Sequence, residues 1–584
     1  MRKIGIGYEN YKEFIDQELY FVDKTLLIRD IIEKGGKVTL FTRPRRFGKT
    51  LALSMLRTFF EAELDRDGHP VDNSRYFTGM KIMDCEKQIL SGMGKYPVIN
   101  LSLKSAKQPD FYGAFLKLRE EIVREFGRHE YILQSDRISE SDRDAFLKLY
   151  NAETEWWERS RGFKSREEEE NELRKESAFF ATALKTLSTC LKQYHGTNVV
   201  ILLDEYDVPL ENAYFSGFYD EMVSFIRSLF ESALKTNDAL ELAVVMGCLR
   251  ISRESIFTGL NHLEIYSVRK SGFGEYFGFT QGETTQMLDD YGIAQKGEEV
   301  QRWYDGYLFG EVEVYNPWSV TKYVKDHISD LNAFPEPYWS NTSSNAIIKE
   351  LVEQASEDQK RELDTLIYGG TIEKRIHEDI TYEDIRESED SLWNFLFFTG
   401  YMKKVSERLE GEDIYLTMCI PNAEIRYIYD NQISSWFDKL VRNTNKDDLH
   451  RAVLNKDTEE MSRIINELLR KTISTFDSKE SFYHGFLVSL LAAIPDYECR
   501  SNRESGNGRP DIILYPEEPK ALAMIFEIKV RKAFNQMEDG VKEACDQIRK
   551  QRYAEGVLEE GYAGVAAYGV CFCRKSCIIE SCSP

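Results

Sequence analysis

No apolar run in this 584-residue sequence approaches the roughly 18 to 20 residues that span a bilayer, so no membrane-crossing helix is expected. A basic surplus is also missing: 76 Lys and Arg stand against 99 Asp and Glu, a formal charge of −23. Phosphate contacts need a positive footprint, so the chain as a whole is not one that wraps nucleic acid indiscriminately. The exclusion weakens locally. From Tyr497 to Tyr553 there are eleven Lys/Arg against ten Asp/Glu, while the acid surplus sits elsewhere, notably in Glu167 to Glu172, which reads as a solvated helix face. There is no internal repeat or low-complexity segment, and Met1-Arg2-Lys3 leads into no signal-peptide core, so a cytoplasmic location is expected. Of ten cysteines, six are scattered singly (Cys85, Cys190, Cys248, Cys419, Cys499, Cys545), the pattern of reduced thiols. Cys571, Cys573, Cys577 and Cys582 crowd the tail. They could hold a metal or iron–sulfur cluster, or Cys571 and Cys573 are inward positions of a last strand, Ala566 to Cys573, with a loose end beyond it.

Against these absences, one stretch near the C-terminus is rich in chemistry. Arg509-Pro510-Asp511-Ile512-Ile513-Leu514 is followed, after a segment punctuated by Pro516 and Pro519, by Glu527-Ile528-Lys529-Val530. The apolar runs Ile512 to Tyr515 and Ala523 to Val530 predict a hairpin. Side chains on a strand repeat every two residues, so Glu527 and Lys529 share a face, and Asp511 can join them there. Two carboxylates beside an ammonium suit Mg²⁺, with Asp511 and Glu527 as metal ligands and Lys529 orienting a water or offsetting phosphate charge. The plainer alternative is a surface hairpin with an ordinary Glu527–Lys529 ion pair.

A second signal lies in the first sixty residues. Lys37 to Phe41 reads as a buried strand, Arg43-Pro44-Arg45-Arg46-Phe47-Gly48-Lys49-Thr50 as a loop and Leu51 to Glu61 as an amphipathic helix, a phosphate-loop layout. The usual first Gly is replaced by Arg43, so other residues must make the tight turn. Val199 to Leu203 is an apolar strand ending in Asp204 and Glu205, the form of an acid that holds Mg²⁺ and a neighbour that polarises water. Further apolar runs, Val98 to Leu103 and Leu242 to Met246, alternate with helices such as Phe218 to Leu234, which predicts a parallel sheet with its ligand at the strands' C-terminal ends.

Two resemblances follow from these residues. Pro510-Asp511 with Glu527-Ile528-Lys529 resembles the signature of the PD-(D/E)XK nuclease superfamily. An apolar helix, Phe482 to Ile494, precedes it, and the Gln547 and Tyr553 of the following helix look like the Gln-and-Tyr element of several branches. Tyr20 to Thr25, Thr42 to Thr50, Leu203 to Asp207, Ser255 to Asn261 and Trp303 to Tyr307 together resemble the bacterial AAA-ATPase-like family whose members commonly end in such a nuclease domain. There the loop form with Arg43 is the usual one. The resemblance implies ATP and Mg²⁺ as cofactors, with Arg45, Arg46, Phe47, Gly48, Lys49 and Thr50 around the phosphates. It assigns Thr50 and Asp204 to the metal, Glu205 to the attacking water, and Asp511, Glu527, Lys529 and Gln547 to phosphodiester cleavage. Arg250 and Arg253 stand where a finger-like arginine would be useful, and Asp23-Lys24-Thr25 either closes a base pocket or caps a helix.

Elsewhere, Asp110 to His195 reads as mostly helical. The aromatics from Trp303 to Gly310 read as a domain junction, and Asn316 before Pro317 as a helix start. Leu392 to Phe398 followed by a hairpin around Gly411 has the outline of a winged helix, and residues 445 to 475 read as an amphipathic connector. The expectation is an α/β multidomain protein. It has a P-loop NTPase (AAA/STAND-like) parallel sheet at residues 1–290, a helical and winged-helix-like middle at 291–475, and a restriction-endonuclease-like αβββαβ domain at 476–584. Its expected function is an ATPase gating or powering a Mg²⁺-dependent nuclease acting on nucleic acid, DNA ahead of RNA, with homo-oligomers allowed. The alternative is a nucleotide-dependent switch or scaffold whose C-terminal fold binds nucleic acid or a partner without cutting.

Overall fold

The computed structural model describes residues 2–65, 67–249, 256–257, 260, 262–339, 356–367, 369–378, 389–431, 446–470, 480–492, 494–501, 505 and 507–582. The chain forms two compact units, one of Met1–Thr342 with Thr371–Arg426, the other of Ser343–Gly370 with Tyr427–Pro584. Arg250 and Arg253, with Ser255, Thr258, Gly259 and Asn261, lie outside the described residues. No described helix is long and apolar enough to cross a membrane.

The first unit is built on β1 (Val38–Thr42), β2 (Val98–Ser102), β3 (Val199–Asp204), β4 (Leu240–Gly247) and β5 (Leu263–Tyr266), all parallel, in the order β2-β3-β4-β1-β5. β1 and β3 are buried throughout, as continuous apolar strands in a sheet covered on both faces should be. β4 separates β1 from β3, yet both strands end at the same edge, where a crevice ligand belongs. Helix α1 (Lys49–Phe60) leaves the end of β1. Between β2 and β3 the chain is helical, at Phe111–Arg128, Glu140–Tyr150, Ala152–Ser160, Arg166–Phe180 and Ala183–His195. Buried Arg119 ties this insert together, donating to Glu176 at 3.1 Å and stacking 5.1 Å from the Trp156 ring centre. Asp23 closes a local clasp, accepting from Thr25 N–H (2.9 Å), Thr25 Oγ1 (2.6 Å) and Lys81 N–H (2.7 Å).

β6 (Phe279–Thr280), β7 (Tyr307–Phe309) and β8 (Val312–Tyr315) form a small antiparallel sheet, followed by α2 (Pro317–Ser329), whose cap Asn316 accepts from the N–H groups of Trp318 and Ser319. β9 (Ile372–Arg375), β10 (Lys403–Glu410) and β11 (Asp413–Cys419) make a third sheet, with β10 and β11 as the hairpin expected around Gly411.

In the second unit the sheet is β12 (Tyr497–Ser501), β13 (Ile512–Pro516), β14 (Leu522–Val530), β15 (Gly564–Cys573) and β16 (Ser576–Cys582), hydrogen-bonded in that order. Only β14 and β15 run parallel. Helices α3 (Asp447–Leu454), α4 (Thr458–Arg470) and α5 (Glu480–Leu491) cover one face, burying Leu449, Met461, Ile465 and Leu487 against Ile512, Phe526 and Phe572. The expected connector is therefore two helices that complete a core. Lys456 at φ 60° breaks the helical path, and Asp457 restarts it by accepting from Glu460 N–H at 3.0 Å. α6 (Met537–Lys550) and α7 (Tyr553–Glu559) cover the other face.

Two expectations about the tail are corrected. The end beyond Cys573 is β16, in register with β15, because Cys577 and Ile579 alternate inward onto the packed face. Cys545 is not a free thiol but is disulfide-bonded to Cys582. Among the described residues Cys571, Cys573, Cys577 and Cys582 form no metal cluster, since Cys571 and Cys573 pack under α6 while Cys577 faces the opposite core.

Candidate functional site

The loop after β1 must reverse direction without glycine at position 43. Its left-handed residues are instead Arg46 (φ 70°) and Gly48 (φ 80°), the first costing about 1–2 kcal/mol for a residue with a side chain. Arg43 is wholly buried. Its Nη1 donates to the carbonyls of Thr42 (2.9 Å) and Tyr266 (2.7 Å), and its guanidinium lies 5.2 and 5.0 Å from the ring centres of Phe277 and Phe309. Burial lowers its pKa to about 9.

At the head of α1, Lys49 Nζ donates to the carbonyls of Arg43 (2.8 Å) and Pro44 (2.9 Å) and lies 3.4 Å from Cys248 Sγ. Thr50 Oγ1 donates to Asp204 Oδ2 at 2.6 Å, while Glu205 N–H donates to Asp204 Oδ1 at 3.0 Å. Burial raises the pKa of Asp204 and of Glu205, the latter further through the charge of Asp204, and Lys49 opposes both shifts. A hydroxyl and two carboxylates crowded in this way fit a hard divalent cation. The end of β4 is fixed by Asp207, whose Oδ2 accepts from the N–H groups of Cys248 (2.7 Å) and Leu249 (3.0 Å). Arg45 pairs with Glu211 at 2.6 Å, Arg46 stacks 4.1 Å from the Trp318 ring centre, and Phe47 sits edge-on to Tyr307 (4.9 Å) and Phe309 (5.1 Å).

In the second unit, register assembles the site. β13 and β14 pair as Ile512 with Phe526 and Ile513 with Ile525, which sets Asp511, one step earlier, opposite Glu527. Asp511, Glu527 and Lys529 thus share the face of Ile513 and Ile525, the side covered by α6 and α7. Asp511 Oδ2 accepts from Ile528 N–H at 2.7 Å, and Lys529 Nζ donates to Glu527 Oε1 at 3.1 Å. Glu527 is 2 % exposed, and its Oε2 has no hydrogen-bond partner among the described residues. Burial, then the charge of Asp511, raises its pKa to about 7 against the pull of Lys529. An unsatisfied buried carboxylate oxygen is costly unless something positive meets it, so the donor set fits Mg²⁺. Gln547 on α6 donates to the Tyr553 hydroxyl at 3.4 Å, and the charges of Glu527, Asp511 and Lys529 all act on that hydroxyl.

Comparison with known proteins bears on both sites. Residues 5–257 match the family model described as predicted AAA-ATPase, and residues 478–582 match that of the PD-(D/E)XK nuclease superfamily. The chain joins an AAA-ATPase-like domain to a PD-(D/E)XK domain. It is 25 % identical over 357 residues to an uncharacterized protein of the vnfD 5′ region of Azotobacter chroococcum, the match spanning 60 % of this chain and 56 % of that protein. The Walker-type ATPase of Pyrococcus abyssi aligns structurally at 14 % identity with a TM-score of 0.33, over 70 % of this chain and 94 % of that one.

Within the AAA-ATPase-like domain, Lys49, Thr50, Asp204 and Glu205 come together at the ends of β1 and β3. Arg45, Arg46 and Phe47 are each engaged by side chains outside the loop. In the PD-(D/E)XK domain, Asp511, Glu527 and Lys529 share one sheet face and Gln547 lies on the helix above it. Two supporting groups have no role assigned from the sequence, although Asp207 lies within the Leu203 to Asp207 motif. Asp207, which carries the end of β4, has only its place after Asp204-Glu205 as a signal. His484 of α5, whose Nε2 donates to the Asp511 carbonyl at 3.0 Å, has none.

Proposed function

We propose that the protein binds and hydrolyses ATP at Lys49, Thr50, Asp204 and Glu205, and cleaves nucleic-acid phosphodiesters at Asp511, Glu527 and Lys529, with ATP turnover gating or powering the cut. The observation that carries the second half is the placement of Asp511 and Glu527 on one face with a buried, unsatisfied Glu527 oxygen beside Lys529.

In the ATPase half, Thr50 and Asp204 would hold Mg²⁺, Lys49 would turn from its own loop carbonyls to the β/γ-phosphates, and Glu205 would orient the attacking water. In the nuclease half, Asp511 and Glu527 would hold the ion. A bound Mg²⁺ supplies a water of lowered pKa and positive charge for phosphate oxygens. Lys529 orients that water or meets the charge that grows on the phosphate, and Gln547, steadied by Tyr553, directs the strand toward both. DNA is the preferred substrate to try first.

The test is cleavage of labelled single- and double-stranded DNA and RNA with Mg²⁺ or EDTA, alongside ATP turnover. Cutting that needs Mg²⁺, disappears in Asp511→Ala and Lys529→Ala, and persists at altered rate in Lys49→Ala supports the reading. Normal ATP turnover with no cutting of any substrate would replace the nuclease half with a nucleotide-dependent switch or scaffold.

A further inference from the structure

The proposed ATP-site loop is tied internally by Lys49 and is packed from outside as well. Position 43 lacks the permissive glycine, Arg46 sits in the left-handed region, and the loop's side chains reach outward. Apart from Arg45, which pairs with Glu211, and the Arg43 hydrogen bonds to the Thr42 and Tyr266 carbonyls, the partners of these side chains come from segments beyond the parallel sheet. Phe47 lies edge-on between Tyr307 and Phe309 of β7. Arg43 stacks on that same Phe309 and on Phe277. Arg46 lies over Trp318 in the first turn of α2, which also has Lys322 at 5.3 Å from its ring centre and donates Nε1 to the Tyr338 carbonyl at 3.3 Å. Pro44 is pressed against Gly400 so closely that a Cβ there would fall 2.9 Å from its Cβ, and Trp339, 3.4 Å from the same point, stacks on Tyr401 at 4.8 Å.

We infer that residues 307–318 and 400 form a collar that sets the phosphate-binding conformation of the loop, with Trp318 and Phe309 as positioning residues for nucleotide binding. This rests on the proposed ATP site and adds its control from outside the sheet. The physical reason is the backbone. A loop of main-chain N–H groups binds phosphate only when those groups converge, and with a strained Arg46 and no glycine at 43 the convergent form is held by packing contacts distributed over Arg43, Pro44, Arg46 and Phe47. A collar of this kind acts on the cradle for the β-phosphate, so ATP and ADP should weaken together while turnover at saturation changes less.

The experiment titrates the full chain with fluorescent ATP and ADP analogues in wild type, Trp318→Ala, Trp318→Phe, Phe309→Leu and Lys49→Ala, with a melting curve for each. Trp318→Ala and Phe309→Leu are expected to weaken both nucleotides about three- to ten-fold, and Trp318→Phe, which keeps a ring under Arg46, by less than about two-fold. Wild-type affinity in Trp318→Ala and Phe309→Leu, with only a lowered melting temperature, would overturn the collar and leave the ATP site standing. Undiminished binding in Lys49→Ala would instead overturn the ATP site itself. Should either collar variant fail to fold, hydrogen exchange on wild type decides. Amides of β7 and β8 should exchange more slowly when ATP is bound, and unchanged exchange overturns the inference.

Discussion

Asp204 meets Thr50 across 154 positions of sequence, at the joint ends of two strands that β4 keeps apart. Asp511 and Glu527 meet across a single hairpin, because consecutive residue pairs of β13 and β14 oppose them. Each site sets a lysine beside carboxylates, but Lys49 is tied to the carbonyls of its own loop while Lys529 rests on its neighbour Glu527. A loop can be moved by whatever packs on it. A strand pair shifts only by a full register step, which would turn every side chain to the other face. Under the proposed function, the first site is then the one open to a change of state, while Asp511 and Glu527 stay assembled with or without the proposed ion.

The largest effect that sharpens this contrast is chemical. Asp511→Ala or Lys529→Ala should reduce Mg²⁺-dependent cleavage by about 10²–10³-fold or more, the scale of removing one charged group that acts only on the transition state, while leaving ATP binding unchanged. Rate measurements at saturating Mg²⁺ check this. Partial recovery of Asp511→Ala at high Mg²⁺ would mean that Asp511 serves metal affinity rather than the chemical step.

A second prediction concerns what keeps α6 on the sheet. Cys545 lies on the helix that carries Gln547, and its bond to Cys582 closes it onto β16 across a separation of 37 residues. Gly569 allows the close approach, since a Cβ there would fall 2.8 Å from Cys545 Sγ and from the Val541 carbonyl. Cys582→Ser is expected to cost the second unit about 2–4 kcal/mol, read as a lower melting transition that a reducing agent reproduces in wild type. The melt of the first unit should not move. Equal melting with and without reductant would show that the bridge does not form in solution.

How much of this was readable in the sequence follows the same divide. Gly48, Lys49, Thr50 and Asp204 sit in short motifs that are legible without any long-range contact. Asp511, Glu527 and Lys529 needed only period two and a turn marked by Pro516 and Pro519. What stayed hidden depends on long-range packing. Nothing local to Arg43 says that it is buried against Phe277 and Phe309, more than 230 positions away. The aromatics near Trp303 read as a junction, but which loop they would hold was not legible. Leu449 and Met461 gave an amphipathic pattern without naming the sheet that buries them, and Cys545 gave no sign of its partner because Cys582 lies in a tail with weak strand character.

The smallest expected effect tests whether the second site is held rigid against its own electrostatics. In the folded chain Glu527 titrates at about 7, against 4.5 for an ordinary glutamate, chiefly because it is buried. Between those values the folded state carries a proton that the unfolded state has lost, so stability falls as pH rises from about 4.5 to about 7 and stays low above it. At one pKa unit per 1.36 kcal/mol, the loss is on the order of 3 kcal/mol at pH 8 without metal. Glu527→Gln removes the ionisation and should melt higher than wild type at pH 8 in EDTA but close to it at pH 5. Mg²⁺ should raise the melting temperature of wild type at pH 8 and not that of the variant, because the ion stabilises the charge that the fold alone holds poorly. If the two proteins differ equally at pH 5 and pH 8, Glu527 is ionised throughout, and the unsatisfied oxygen is met by a group other than the ion.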